Sequence, residues 1–130
     1  MIRVLVADDS TAMRAAIQIR LEKEPDIRVI GEASDYDQAV KLLPVKKPDV
    51  FVCDLRMPRG PRSQPSHLAE LARVCRCAVI AVTFTDSDDE IKLAAERLGV
   101  DRILDITTLF DTLVPAIREA VAEERDAYHF

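Results

Sequence analysis

Short, nearly uninterrupted apolar runs alternate along this chain with stretches in which apolar residues return every three or four positions. The runs are Ile2–Ala7, Val29–Ala33, Val50–Cys53, Ala78–Val82 and Arg102–Leu104. Runs so short and so apolar predict strands of a parallel sheet covered on both faces, where neither side of a strand meets water. The intervening stripes predict amphipathic helices. They are Met13, Ala16, Ile17 and Leu21, then Tyr36, Ala39, Val40 and Leu43, then Leu68, Leu71, Ala72 and Cys75. Ile91, Ala94, Ala95 and Leu98 form a fourth stripe, and Leu113, Ala116, Ile117, Ala120 and Val121 a fifth.

Punctuation between these elements agrees with the pattern. Ser87-Asp88-Asp89-Glu90 reads as a capping box opening the fourth helix, with an acidic first turn suited to the helix dipole. Gly99 falls where a left-handed cap would close that helix. Pro115 is expected to bend or delay the last helix, which reads as Asp111–Glu124. The irregular stretch is Arg56–Ser66, rich in Pro, Arg and Ser, and Arg125–Phe130 reads as a frayed end.

Five strand–helix units joined by right-handed crossovers predict an α/β doubly wound fold. Without fingerprint glycines for a dinucleotide, the flavodoxin-like (βα)5 arrangement fits best, a five-stranded parallel sheet of order 2-1-3-4-5. The expected division is a domain over 1–126 and a short tail over 127–130. At 130 residues the chain suits one domain with a real core.

Composition narrows the function. Hydrophobic residues make up 48% and charged residues 32%, and no apolar run approaches the ~20 residues of a membrane span. Met1-Ile2-Arg3-Val4 enters a strand directly, with no signal peptide, so the expected location is cytoplasmic. A net charge of −5 argues against direct nucleic-acid binding. Cys53, Cys75 and Cys77 lack metal-ligand spacing and read as small buried apolar residues.

The candidate chemistry sits where such folds bind ligands, at the carboxyl ends of the strands beside the switch in strand order. Asp8 and Asp9 follow the first strand and Asp54 ends the third, so three carboxylates should share one crevice. Like charges ~4–6 Å apart raise at least one pKa unless a cation neutralises them. A hard divalent ion, most simply Mg²⁺, fits an all-oxygen set. The plainer alternative is that Asp9 or Ser10 only caps the helix that follows. Thr83 ends the fourth strand with its hydroxyl toward the same crevice, or is simply a β-branched residue suited to strands. His67 reads as a surface or capping residue.

These segments, taken in order, resemble the receiver domain of two-component response regulators over essentially the whole chain. Val4-Leu5-Val6-Ala7-Asp8-Asp9-Ser10 is similar to the opening strand and acidic pair of that family, and Pro48-Asp49-Val50-Phe51-Val52-Cys53-Asp54-Leu55-Arg56-Met57-Pro58 to its phosphoacceptor segment. Val79-Ile80-Ala81-Val82-Thr83 resembles the switch-hydroxyl strand, and Leu98-Gly99-Val100-Asp101 the turn before the fifth strand. The resemblance implies that Asp54 accepts a phosphoryl group from a sensor histidine kinase or phosphotransfer protein. It implies that Asp9, Asp54 and the Arg56 carbonyl hold Mg²⁺, with Asp8 acting largely through water, and that Thr83 bonds a phosphoryl oxygen. Signalling would then pass through contacts with a downstream protein or a second copy of the chain, on the face of the fourth helix, fifth strand and fifth helix. The domain would not be an enzyme in its own right.

Four departures stand out against that family. Its lysine after the fifth strand aligns with Ile106, and residues 98–110 contain no lysine at all. Its aromatic switch residue aligns with Ile103, Phe84 stands where a small residue is usual, and Gly60 comes early with Arg62 near the expected glycine position. The alternative function is therefore a pseudo-receiver, an interaction module independent of phosphorylation. A phosphohydrolase on a related fold is disfavoured because Arg56, not an acid–base Asp, stands two residues after Asp54. Arg56, Arg59 and Arg62 recur in the loop after Asp54, and Arg56 is the candidate to replace the missing ammonium.

Overall fold

The computed structural model describes residues 1–57, 65–83, 93, 96 and 99–127. Its strands are β1 (Ile2–Ala7), β2 (Ile27–Ala33), β3 (Val50–Asp54), β4 (Ala78–Thr83) and β5 (Arg102–Asp105). Its helices are α1 (Thr11–Glu22), α2 (Tyr36–Lys46), α3 (Pro65–Val74) and a C-terminal α4 (Leu109–Ala127), preceded by a 3-10 turn over Ile106–Thr108. The five strands form one parallel sheet in the order β2-β1-β3-β4-β5, as the alternation predicts.

Side chains leave successive strand residues on opposite faces, and the core divides accordingly. Val4 and Val6 of β1, Val50 and Val52 of β3, and Ile80 and Val82 of β4 face α1 and α4, where Ile17, Leu21, Leu113 and Ile117 meet them. Leu5 and Ala7, Phe51 and Cys53, and Val79 and Ala81 face the other way, onto Tyr36 and Leu43 of α2 and Leu68 and Ala72 of α3. Every residue of β4 is buried, which explains a run with no polar alternation.

Differences from the sequence expectations are mainly at element ends. β2 begins at Ile27, two residues early, and its register with β1 shifts between Val4 and Leu5, so that Leu5 pairs with Gly31. A Cβ on Gly31 would come within 3.1 Å of the Leu5 side chain, a tight contact to which Leu5 would have to yield. Pro115 does not delay the last helix, which starts six residues earlier and runs to Ala127, past the expected fray at Arg125. Asp111 and Pro115 both lie on the exposed side, where the carbonyl that proline leaves without an N–H partner can meet water. Cys53 and Cys77 are buried as expected, but Cys75 is only partly so. The capping box at Ser87, the whole fourth helical stripe, Phe84, Arg59, Gly60 and Arg62 lie outside the described residues. His67 falls in α3, with its side chain likewise outside them.

Candidate functional site

The register of the three central strands builds the acidic crevice. Ala7 of β1 pairs with Cys53 of β3, so the residues that follow them, Asp8 and Asp54, leave the sheet side by side. Asp54 in turn pairs with Val82 of β4, and Thr83 is the next residue along. Carboxylate oxygens of Asp8, Asp9 and Asp54 all lie within 4.8 Å of one another, the convergence expected from the strand order.

The three acids differ in surroundings. Asp8 is buried, at 5% exposure, and its Oδ1 accepts the Ser10 N–H at 2.8 Å. Burial pushes its carboxyl up from 3.8 to about 6, the Ser10 N–H opposes this, and the charges of Asp54 and Asp9 add to it. Asp54 is half-buried and is also raised, by burial first and then by Asp9. The Arg56 N–H, 2.9 Å from Asp54 Oδ1, and the positive charge of Arg56 both pull it down. Asp9 is exposed. It is not the helix cap, because Ser10 caps α1 by accepting the Met13 N–H at 3.1 Å.

Thr83 is buried, at 7% exposure, and its Oγ1 has no hydrogen-bond partner among the described residues. A buried hydroxyl without a partner carries a desolvation cost of roughly 1–3 kcal/mol, which a ligand oxygen would relieve. Arg56 is exposed, with its backbone turned to Asp54. Ile106, at the position of the expected lysine, opens the 3-10 turn and packs partly buried against the α1–α4 side of the core. Ile103 is 50% exposed and so points outward rather than into the core.

One residue of this site was not picked out from the sequence. Arg14 of α1 donates to the Asp8 carbonyl, and its partner is a backbone atom, which leaves no pattern in side-chain identity. A cleft of about 310 Å³ lies elsewhere, at the amino ends of β4 and β5, lined by Arg73, Arg76, Cys77, Asp101 and Glu124. It holds none of Asp8, Asp9 and Asp54. Among the described residues, no helix is long and apolar enough to cross a membrane.

Known proteins are similar to this chain in architecture and in sequence. The response regulator receiver domain family matches residues 4–118. A protein-glutamate methylesterase/protein-glutamine glutaminase of Caulobacter vibrioides is 37% identical over 99 residues, 75% of this chain and 28% of its own length. The transcriptional regulatory protein PdtaR of Mycobacterium tuberculosis is 29% identical over 124 residues, 95% of this chain and 58% of its own. The chain thus spans only part of these relatives. Among solved structures, the response regulator domain of Thermotoga maritima CheB superposes with a TM-score of 0.78 at 29% identity, covering 94% of this chain and 97% of that one. The signal receiver domain of a modulated diguanylate cyclase from Desulfovibrio desulfuricans gives a TM-score of 0.81 at 26% identity, covering 95% of each chain. The flavodoxin-like order of strands and the match over 4–118 lead to one conclusion: the chain belongs to the response regulator receiver domain family of two-component signalling.

Proposed function

We propose that this domain accepts a phosphoryl group on Asp54 with the help of Mg²⁺ and signals through protein–protein contacts. The observation that carries the reading is the meeting of Asp8, Asp9 and Asp54 within 4.8 Å. The donor set is all oxygen, and burial together with mutual repulsion leaves it short of positive charge, which fits a hard divalent cation. Asp9, Asp54 and the Arg56 carbonyl would hold the ion, with Asp8 acting largely through water. Mg²⁺, when bound, supplies charge neutralisation between the carboxylates and the incoming phosphoryl oxygens.

The chain's own residues would then do the rest. An Asp54 carboxylate oxygen attacks phosphorus, the bond to the donor's imidazole nitrogen breaks, and that nitrogen keeps the electron pair. The product is an acyl phosphate on Asp54. The unpartnered Thr83 hydroxyl is suited to donate to one phosphoryl oxygen, satisfying itself as it does so. The donor would be a sensor histidine kinase or a phosphotransfer protein in the cytoplasm, and the receiver of the signal a downstream protein or a second copy. Catalysis of any further reaction would belong to other domains or chains.

Intact-mass measurement after incubation with Mg²⁺ and acetyl phosphate tests this, with Asp54→Asn as control. A gain of one phosphoryl group in the wild type alone is expected. A second reading, a pseudo-receiver that acts without phosphorylation, draws on Ile106 packing against the core where a cation is expected. No mass gain, together with no beryllofluoride binding, would favour that module instead.

A further inference from the structure

Arg14 stands one turn into α1 with only 14% of its side chain exposed, unusually enclosed for an arginine that belongs to no buried charge pair. Its guanidinium fork reaches three partners on three segments. One Nη donates to the Asp8 backbone carbonyl, the other lies 3.3 Å from Thr11 Oγ1, and Nε is 3.4 Å from Glu32 Oε1 on β2. Lysine could not make this set, because a single ammonium cannot span a fork.

The consequence follows from what else holds Asp8. Its backbone N–H donates to the Ala33 carbonyl at 3.0 Å, and its side chain accepts from Ser10 N–H. With Arg14 on the carbonyl, every polar group of Asp8 has at least one partner. The peptide joining Asp8 to Asp9 is therefore held at its carbonyl by Arg14, while the N–H and side chain of Asp8 anchor the residue before it. Its plane decides the direction in which the next side chain leaves the turn, and that side chain is Asp9. Without the fork the turn would keep its sequence but not a single orientation, and a metal ligand that must be ordered on binding binds more weakly.

We infer that Arg14 is a positioning residue for the cation site: it touches no ligand, but fixes the Asp8–Asp9 peptide so that Asp9 faces Asp54. This rests on the Mg²⁺ reading above. Groups that orient ligands in this indirect way typically alter metal affinity by about 10–100-fold when removed. Glu32 is the weaker part of the device, since it is largely exposed and acts only by steering the fork.

Isothermal titration with MgCl₂ tests the inference, run beside thermal melts without metal to set a temperature at which each variant is folded. Wild type should bind, and Asp9→Asn should bind much more weakly. Arg14→Met should lose about tenfold or more in affinity. Arg14→Lys, which keeps the charge and most of the packing, should recover only part of that loss and serves alone if Arg14→Met does not fold. The Asp9 and Ser10 amide resonances of metal-free Arg14→Lys should shift or broaden, since their peptide planes lose the anchor. Folded Arg14 variants that bind Mg²⁺ as wild type does, while Asp9→Asn is defective, would overturn the role of Arg14 alone. Wild type that binds no Mg²⁺ would overturn the cation site itself.

Discussion

Replacing Asp8 by Asn removes a charge that the metal-free fold holds at a cost, and so should stabilise it at neutral pH. The carboxyl titrates near 6 in the folded protein against 3.8 for its ordinary value. At about 1.4 kcal/mol per unit, that difference corresponds to about 3 kcal/mol. The sign follows from proton counting. Between pH 3.8 and 6 the folded state binds more protons than the unfolded state, so stability falls as pH rises through that window. Below it both states are protonated and the cost vanishes; above it the cost is constant. Asn keeps an oxygen that can accept the Ser10 N–H, so the shape of the turn is retained. Urea denaturation in EDTA should therefore find Asp8→Asn more stable than wild type by about 2–3 kcal/mol at pH 7.5 and level with it near pH 3.5. Mg²⁺ should narrow the gap by stabilising wild type more than the variant. An Asn variant that is less stable at pH 7.5, or whose advantage is the same at both pH values, would refute the reasoning.

Three further outcomes follow from the same geometry. Ile106→Lys should lengthen the life of the acyl phosphate or raise its yield by about tenfold, the value of a charged hydrogen bond of roughly 1.5–3 kcal/mol after the cost of unpacking Ile106; an unchanged mass-spectrometric decay would show that no cation is limiting there. Arg56→Ala should shorten that life, since the Arg56 charge already favours the ionised form of Asp54, and decay rates equal to wild type would remove Arg56 as the substitute cation. Ile103→Glu should abolish any self-association seen by sedimentation, because Ile103 is half exposed on the edge strand β5; a wild type that stays monomeric at high concentration would eliminate the dimer.

The fold was legible because its signal is repetitive. Val4, Val6, Val50, Val52, Ile80 and Val82 each fill one side of the sheet and their neighbours the other, so the three central runs could hardly be read otherwise, whereas β2 and β5, at the sheet edges, are only partly buried rather than covered on both faces as expected. The acidic crevice was legible for a topological reason: once β1 and β3 are adjacent, residues just past their ends must meet. What the sequence left open depends on backbone partners and on length. Whether Asp9 or Ser10 caps α1 turns on one hydrogen bond, and the structure gives it to Ser10. Arg14 could not be found because a carbonyl looks the same after every residue. Pro115 misled because the rule against proline in helices weakens where the freed carbonyl is exposed.

The balance between the two functional readings turns on what the crevice costs the bare fold. Asp8 and Asp54 are both raised above the ordinary carboxylate value by burial, and Thr83 keeps a hydroxyl without a partner among the described residues. Asn at either acid, or Val at Thr83, would relieve part of that cost while preserving shape. An interaction module that had no use for the crevice would gain stability from any of these changes and lose nothing. On the proposed reading the cost would be offset by a cation among the carboxylates and an anion accepting from Thr83. Ile106 would bear on a different quantity, the lifetime of a phosphorylated state, because a missing ammonium would weaken the hold on a phosphoryl oxygen while leaving Asp54 unchanged as the proposed nucleophile. On that same reading, an intact acidic set with Ile106 in place of lysine would accept a phosphoryl group and hold it briefly.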